Sequence, residues 1–152
     1  MKLKELLDEL NKSTCYNNFI KDNKCFLCAV FCVPEENKYN LDFFIPDKKK
    51  IACFEYPFDN FKIYEEKIDE AKEIDICMKI DIGDIKAEAD KIKNEQKVNM
   101  NISKTIAILK DNLWNLTCMD NSLGMLRIKI NASSGEVIEF KKGSLMDLMI
   151  RK

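Results

Sequence analysis

The chain of 152 residues contains no histidine. That absence removes the commonest general base, the Ser-His and Cys-His nucleophile pairs and every zinc site that uses imidazole. Glycine (4) and proline (3) are also scarce. No Gly/Ser-rich or Pro-rich linker divides the chain, so one continuous body is expected. No segment reaches the roughly 18 consecutive apolar residues that a membrane span requires, and none is expected to span. Neither sign of charge is in excess: 25 Lys+Arg stand against 26 Asp+Glu, a formal net charge of −1. Such a balance gives no general attraction to phosphate, and no nucleic-acid partner is expected. The densest basic run, Lys48-Lys49-Lys50, sits between two strand-like runs and reads as a solvated hairpin tip.

What is present is enough apolar material, 46% of residues, for a packed core. There are also seven cysteines: Cys15, Cys25, Cys28, Cys32, Cys53, Cys77 and Cys118. An odd count fits poorly with a disulfide framework. Residues Met1 to Leu7 include Glu5 and show no apolar run of signal-peptide length. A reducing, cytoplasmic setting with free thiols is the expectation.

Hydrophobic spacing lays out the elements. Leu3, Leu6, Leu7 and Leu10 form one helical face. Asn11 to Asn23 reads as a polar break, apart from Cys15, Tyr16, Phe19 and Ile20. The apolar run Cys25 to Val33, then Tyr39 to Ile45 and Ile51 to Tyr56, separated by short turns, predict a three-stranded antiparallel meander. Residues 58–73 are ambiguous, with Phe61, Tyr64, Ile68 and Ala71 able to form a helical stripe. Ile74, Ile76, Met78, Ile80 and Ile82 alternate with polar residues and Cys77, which predicts a half-buried strand. Asp81 or Asp84 is placed to cap a helix carrying Ile85, Ala89 and Ile92. Ile102, Ile106 and Leu109 predict a further short helix capped by Asn101 or Ser103.

Beyond it, Leu113 to Met119, Leu126 to Ile130 and Ile138 to Phe140 predict a second meander, with Ser133-Ser134-Gly135 as its last turn. Ser144 and Asp147 resemble a capping box for a terminal helix burying Leu145, Leu148 and Met149. The fold class expected is α+β, with antiparallel meanders packed against helices. The division expected is residues 1–73 (helix plus meander) and 74–152 (strand, helices and second meander), two similar units in one compact body.

Trp114 in a first strand, the Leu126 to Ile130 strand and the turn Asn131-Ala132-Ser133-Ser134-Gly135-Glu136-Val137 resemble the PepSY domain family. Asn131 and Ser134 stand where that family usually has Asp and Thr; both keep short polar turn chemistry. The resemblance covers about 40 residues. It implies a small cystatin-like α+β unit, here possible in tandem, of a kind commonly found as a propeptide, inhibitory or extracytoplasmic module. It brings no catalytic residues.

Three groups were weighed as sites. Cys25-Phe26-Leu27-Cys28 is formally CxxC, with Cys32 four residues on. In a regular strand Cys28 and Cys32 share one face and Cys25 takes the other. No Gly or polar residue supplies a zinc-knuckle turn, and nothing caps a helix behind the motif. Buried apolar roles are therefore expected; the metal candidates are Cys25, Cys28 and Cys32, with Cys15 or Cys53 as a fourth thiolate. The acidic pairs Glu35-Glu36, Glu65-Glu66 and Asp81/Asp84 read as solvated. The aromatics Trp114, Phe43, Phe44, Phe54 and Tyr56 read first as packing. Phe43 and Phe44, being adjacent, must take opposite faces, so one is expected at the surface or beneath a helix or a second chain. The function expected is a non-catalytic interaction or regulatory module that binds a protein partner or its own copy, with no cofactor. The alternative is a cysteine-thiolate metal or redox protein.

Overall fold

A computed structural model describes residues 1–144. Two helices open the chain, α1 (Leu3–Asn11) and α2 (Thr14–Asp22), followed by strands β1 (Phe26–Val33), β2 (Lys38–Ile45), β3 (Lys50–Glu55) and β4 (Phe61–Ile63). Helix α3 (Ile85–Glu95) then precedes β5 (Lys104–Lys110), β6 (Leu113–Met119), β7 (Gly124–Asn131) and β8 (Val137–Ser144). All eight strands form one sheet in the order β4-β3-β2-β1-β5-β6-β7-β8, with every neighbouring pair antiparallel. The chain is thus an α+β fold. Each half is a helical segment followed by a four-stranded meander, and the halves meet where β1 pairs with β5.

The core-facing side of that seam is fully buried. Val30 faces Leu109 and Cys32 faces Ala107 across it; none of the four is more than 1% exposed. Glu35, in the turn after β1, ties the halves together at one end. The Thr105 amide and hydroxyl donate to its two carboxylate oxygens at 2.9 and 3.0 Å, and Lys86 of α3 adds an ion pair at 3.7 Å. Thr105 is fully buried, so its donors require this acceptor.

Helices and core lie on one face of the sheet. Leu6 and Leu10 from α1, Phe19 from α2, and Ile85, Ala89 and Ile92 from α3 join Leu41, Phe54, Leu116 and Ile128 from the strands in a single cluster. Trp114 is also in it, at 0% exposure, and its indole N–H donates to the Ile80 carbonyl at 2.8 Å.

Three stretches depart from the sequence expectations. Where a helix over Ile102 to Leu109 was expected, residues 104–110 form strand β5. The spacing of Ile102, Ile106 and Leu109 suits a helix. The observed alternation, with Thr105, Ala107 and Leu109 buried and Ile106 and Ile108 outward, suits a strand. Pairing on both sides decides for the strand. The two-residue turn Asp111-Asn112, both at positive φ, matches the hairpin geometry that β5 and β6 need. Residues 74–82 are not a strand either. They run as a strap across the strand ends, anchored by the Ile74 amide on the Leu27 carbonyl (2.9 Å) and the Ile80 amide on the Ala132 carbonyl (3.0 Å). Alternation survives only in part: Ile80 and Ile82 are buried, while Ile76 is exposed. Lastly, Thr14–Asp22 is helical where a polar break was expected. Ser13 caps it by accepting from the Tyr16 amide, and Tyr16 and Phe19 pack edgewise on Phe54. The expected terminal helix over Leu145, Leu148 and Met149 lies outside the described residues.

The strap and the seam make separate predictions in urea denaturation. Trp114→Phe should cost about 1–3 kcal/mol by leaving the Ile80 carbonyl without its donor. Glu35→Ala should cost a similar amount by stranding the two donors of Thr105. Glu36→Ala, which removes only a half-exposed pair to Lys104, should change stability by less than about 1 kcal/mol. Equal effects of Glu35→Ala and Glu36→Ala would contradict this account of the seam.

Candidate functional site

The β1 strand decides the fate of the CxxC. Its pairing with β2 slips between Leu27 and Ala29, a bulge at Cys28. An extra residue in one strand reverses the in/out alternation beyond it. Cys32 therefore joins the helix-side core and Cys25 packs against the same side. Cys28, although only 4% exposed, lies outside that cluster and beside Asp42 and Lys110 on the opposite face. The expectation that Cys28 and Cys32 share a face is overturned by this one inserted residue. The three candidate ligands do not converge, and no group of three or more His, Cys, Asp or Glu is arranged for a metal among the described residues.

The thiols are also held protonated. Burial pushes Cys28, Cys32 and Cys118 up to about 12 and Cys53 up to about 11. Cys15 and Cys25 shift in the same direction, chiefly through burial. A thiol in that range supplies almost no thiolate near neutrality, and thiolate is the nucleophile and the ligand. Cys77, in the strap, is the exposed cysteine.

The face without helices is the larger feature. Strand alternation sends Phe26, Phe31, Asn40, Asp42, Phe44 and Cys53 to it from the first half of the chain. The second half sends Ile106, Ile108, Asn115, Thr117, Arg127 and Lys129. Phe43 turns to the core and Phe44 to this open side. Phe44 is nonetheless only 4% exposed, with its ring against Phe26 at a centroid distance of 5.6 Å.

At the centre Phe31 lies directly opposite Ile108. Phe31 is half-buried, with the Lys38 ammonium 5.8 Å from its ring centroid, and Ile108 is 41% exposed. A β-branched side chain left open in the middle of a sheet has no folding role that needs the exposure.

Polar groups divide along the same face. On β2, Asn40 Oδ1 and Asp42 Oδ1 are buried and lack a hydrogen-bond partner. Burial raises the Asp42 carboxyl, partly offset by the Cys53 thiol on the paired strand. The Tyr64 hydroxyl, beside the same thiol, is raised too, first by its hydrogen bond to Cys53 and then by burial. On β6 to β8 the face is basic. A groove of about 380 Å³ is lined by Asn115, Thr117, Arg127, Lys129, Glu139 and Lys141. Glu139 bridges Lys141 at 2.9 Å and Lys129 at 3.3 Å, and these two partners hold its carboxyl below the usual range. Compared with known proteins, the chain matches no family model, no curated protein and no solved structure at a significant level.

Sequence reasoning placed Trp114, Phe43 and Phe54 correctly as packing residues. It missed the open face because β5 was read as a helix, so Ile108 and Phe31 were never paired. The Asp111-Asn112 turn was the signal that could have revealed the hairpin.

Two measurements test this description. In the native protein a thiol reagent near neutral pH should modify Cys77 rapidly and the buried thiols slowly, and Cys77→Ser should abolish the fast phase. A persisting fast phase would show that another thiol is reactive. For Asp42, the folded carboxyl titrates above its unfolded value, so the folded state binds the extra proton between the two. Stability from this group therefore falls as pH rises through that window. Asp42→Asn should raise the melting temperature at pH 7, and the gain should shrink as acidification neutralises Asp42 in the parent protein.

Proposed function

We propose that this chain is a non-catalytic binding module that engages a protein partner through the helix-free face of its sheet. The observation that carries the reading is the exposed Ile108 against Phe31 at the centre of that face, while the three helices among the described residues pack on the other side. Phe44 and Cys53 on the first half of that face are buried, whereas Ile108 of the second half stands exposed beside Phe31 and Ile106, and apolar exposure of that kind is the usual mark of an interface.

The PepSY resemblance draws support from the second half. Helix α3 is followed by the β5–β8 meander, and the turn after β7 carries Gly135 at φ +79°, as a Ser-Ser-Gly turn requires. The first half repeats the order of helix then four-stranded meander, which supports reading the chain as two such units in tandem. Seven free thiols fit a reducing, cytoplasmic setting. The chemistry favours binding over catalysis: the buried thiols stay protonated and supply little nucleophile near neutrality.

The decisive comparison is capture of a partner from the native source by the parent protein and by Ile108→Glu. The substitution is on a partly exposed side chain and should move stability by no more than about 1 kcal/mol. It should abolish retention of the partner while leaving the circular-dichroism melt intact. Undiminished capture by Ile108→Glu would remove this face as the binding surface.

A further inference from the structure

The second half of the open face holds a concentration of positive charge that folding does not account for. Lys104, Lys110, Arg127, Lys129 and Lys141 all point to it, against a single carboxylate, Glu139, from the same strands. Lys104 is matched by Glu36 from the turn after β1 at 2.9 Å, and Glu139 is shared between Lys129 and Lys141. Arg127 and Lys110 have no ion pair among the described residues. Arg127 also sits directly opposite Lys141 in the β7–β8 ladder. Like charges at paired positions destabilise a sheet. A chain with a net charge of −1 thus places Arg127 and Lys141 side by side, on the surface that also carries Phe31, Ile106 and Ile108.

We infer that the occupant of this face is an acidic segment of a protein partner, carrying apolar side chains alongside its carboxylates. Its apolar side chains would rest on Phe31, Ile106 and Ile108, and its carboxylates would meet Arg127, Lys129 and Lys141 in the adjoining groove. Arg127 offers a planar fork suited to a carboxylate, and Asn115 and Thr117 beside it supply neutral hydrogen-bonding groups. A second copy of this chain fits less well, because the same basic half would be carried into both sides of the contact. Nucleic acid fits less well too. The exposed centre is aliphatic, whereas bases are held on aromatic faces, and the one ring there, Phe31, is half-buried with Lys38 already above it. The inference rests on the binding-module reading above and adds the chemistry of the partner.

The test uses the full chain and three probes measured by fluorescence anisotropy: a synthetic peptide alternating glutamate with leucine, the matching lysine–leucine peptide, and an oligouridine of the same length. The acidic peptide should bind, weaken as salt rises, and bind at least about tenfold more weakly to Arg127→Ala/Lys141→Ala. Lys48→Ala/Lys49→Ala, at the hairpin tip, should bind it like the parent. The melting temperature of Arg127→Ala/Lys141→Ala should stay level or rise, since a like-charge pair is removed; this separates a binding role from a structural one. Absence of binding to the acidic peptide, equal loss in both double variants, or tighter binding to oligouridine would each overturn the inference. A captured native partner lost with Ile108→Glu but retained by Arg127→Ala/Lys141→Ala would overturn it while leaving the binding-module reading intact.

Discussion

Pairing of β1 with β5 is the constraint from which the rest of the structure follows. Neither meander alone would bury both flanks of its first strand. Joined, they turn two outer strands into the centre of one eight-stranded sheet, and the core-facing residues Val30, Cys32, Ala107 and Leu109 along that line are buried. The Glu35–Thr105 contact then has to form, because the seam carries Thr105 out of reach of water and its amide and hydroxyl need an acceptor. Helix α3 extends over the same region and contributes Lys86 to Glu35. The ladder and this carboxylate join the halves directly, beside the core cluster they share.

The seam also explains the strap. β4 and β5 are consecutive in the chain but lie on opposite sides of β1–β3, so the connection must cross the sheet. It does so along the strand ends, donating the Ile74 and Ile80 amides to the carbonyls of Leu27 and Ala132. The buried Trp114 holds it by the indole N–H. A side chain that could have served recognition serves architecture, because a buried indole nitrogen must find an acceptor. With the helices of the described residues on one face, Ile108 stays exposed on the other.

One inserted residue has an effect out of proportion to its size. The bulge at Cys28 separates it from Cys32, with Cys25 already on the face opposite Cys28, so a sequence motif that reads as a thiolate site becomes core residues on one side and a buried thiol on the other. Parity arguments along a strand hold only while the ladder is regular, and nothing in an apolar run such as Cys25 to Val33 signals where it will slip.

Local chemistry was legible where it was strong enough to act alone. The leucine spacing of α1, the β-branched and aromatic run of β1, the alternation in β7 and the Ser-Ser-Gly turn each prefer one conformation before any contact forms. The α+β class and most strands followed from them. The absence of histidine narrowed the possible chemistry without any structure. Where two periodicities fit the same residues, as in Ile102 to Leu109, only pairing on both flanks could choose between helix and strand. Where alternation had no neighbour to pair with, as in Ile74 to Ile82, it yielded a strap. Which cations share a face, and that Phe31 meets Ile108 there, are products of register between segments far apart in the chain. Local propensity cannot carry that information, because register is set by long-range contacts that exist only once the sheet has closed at its seam.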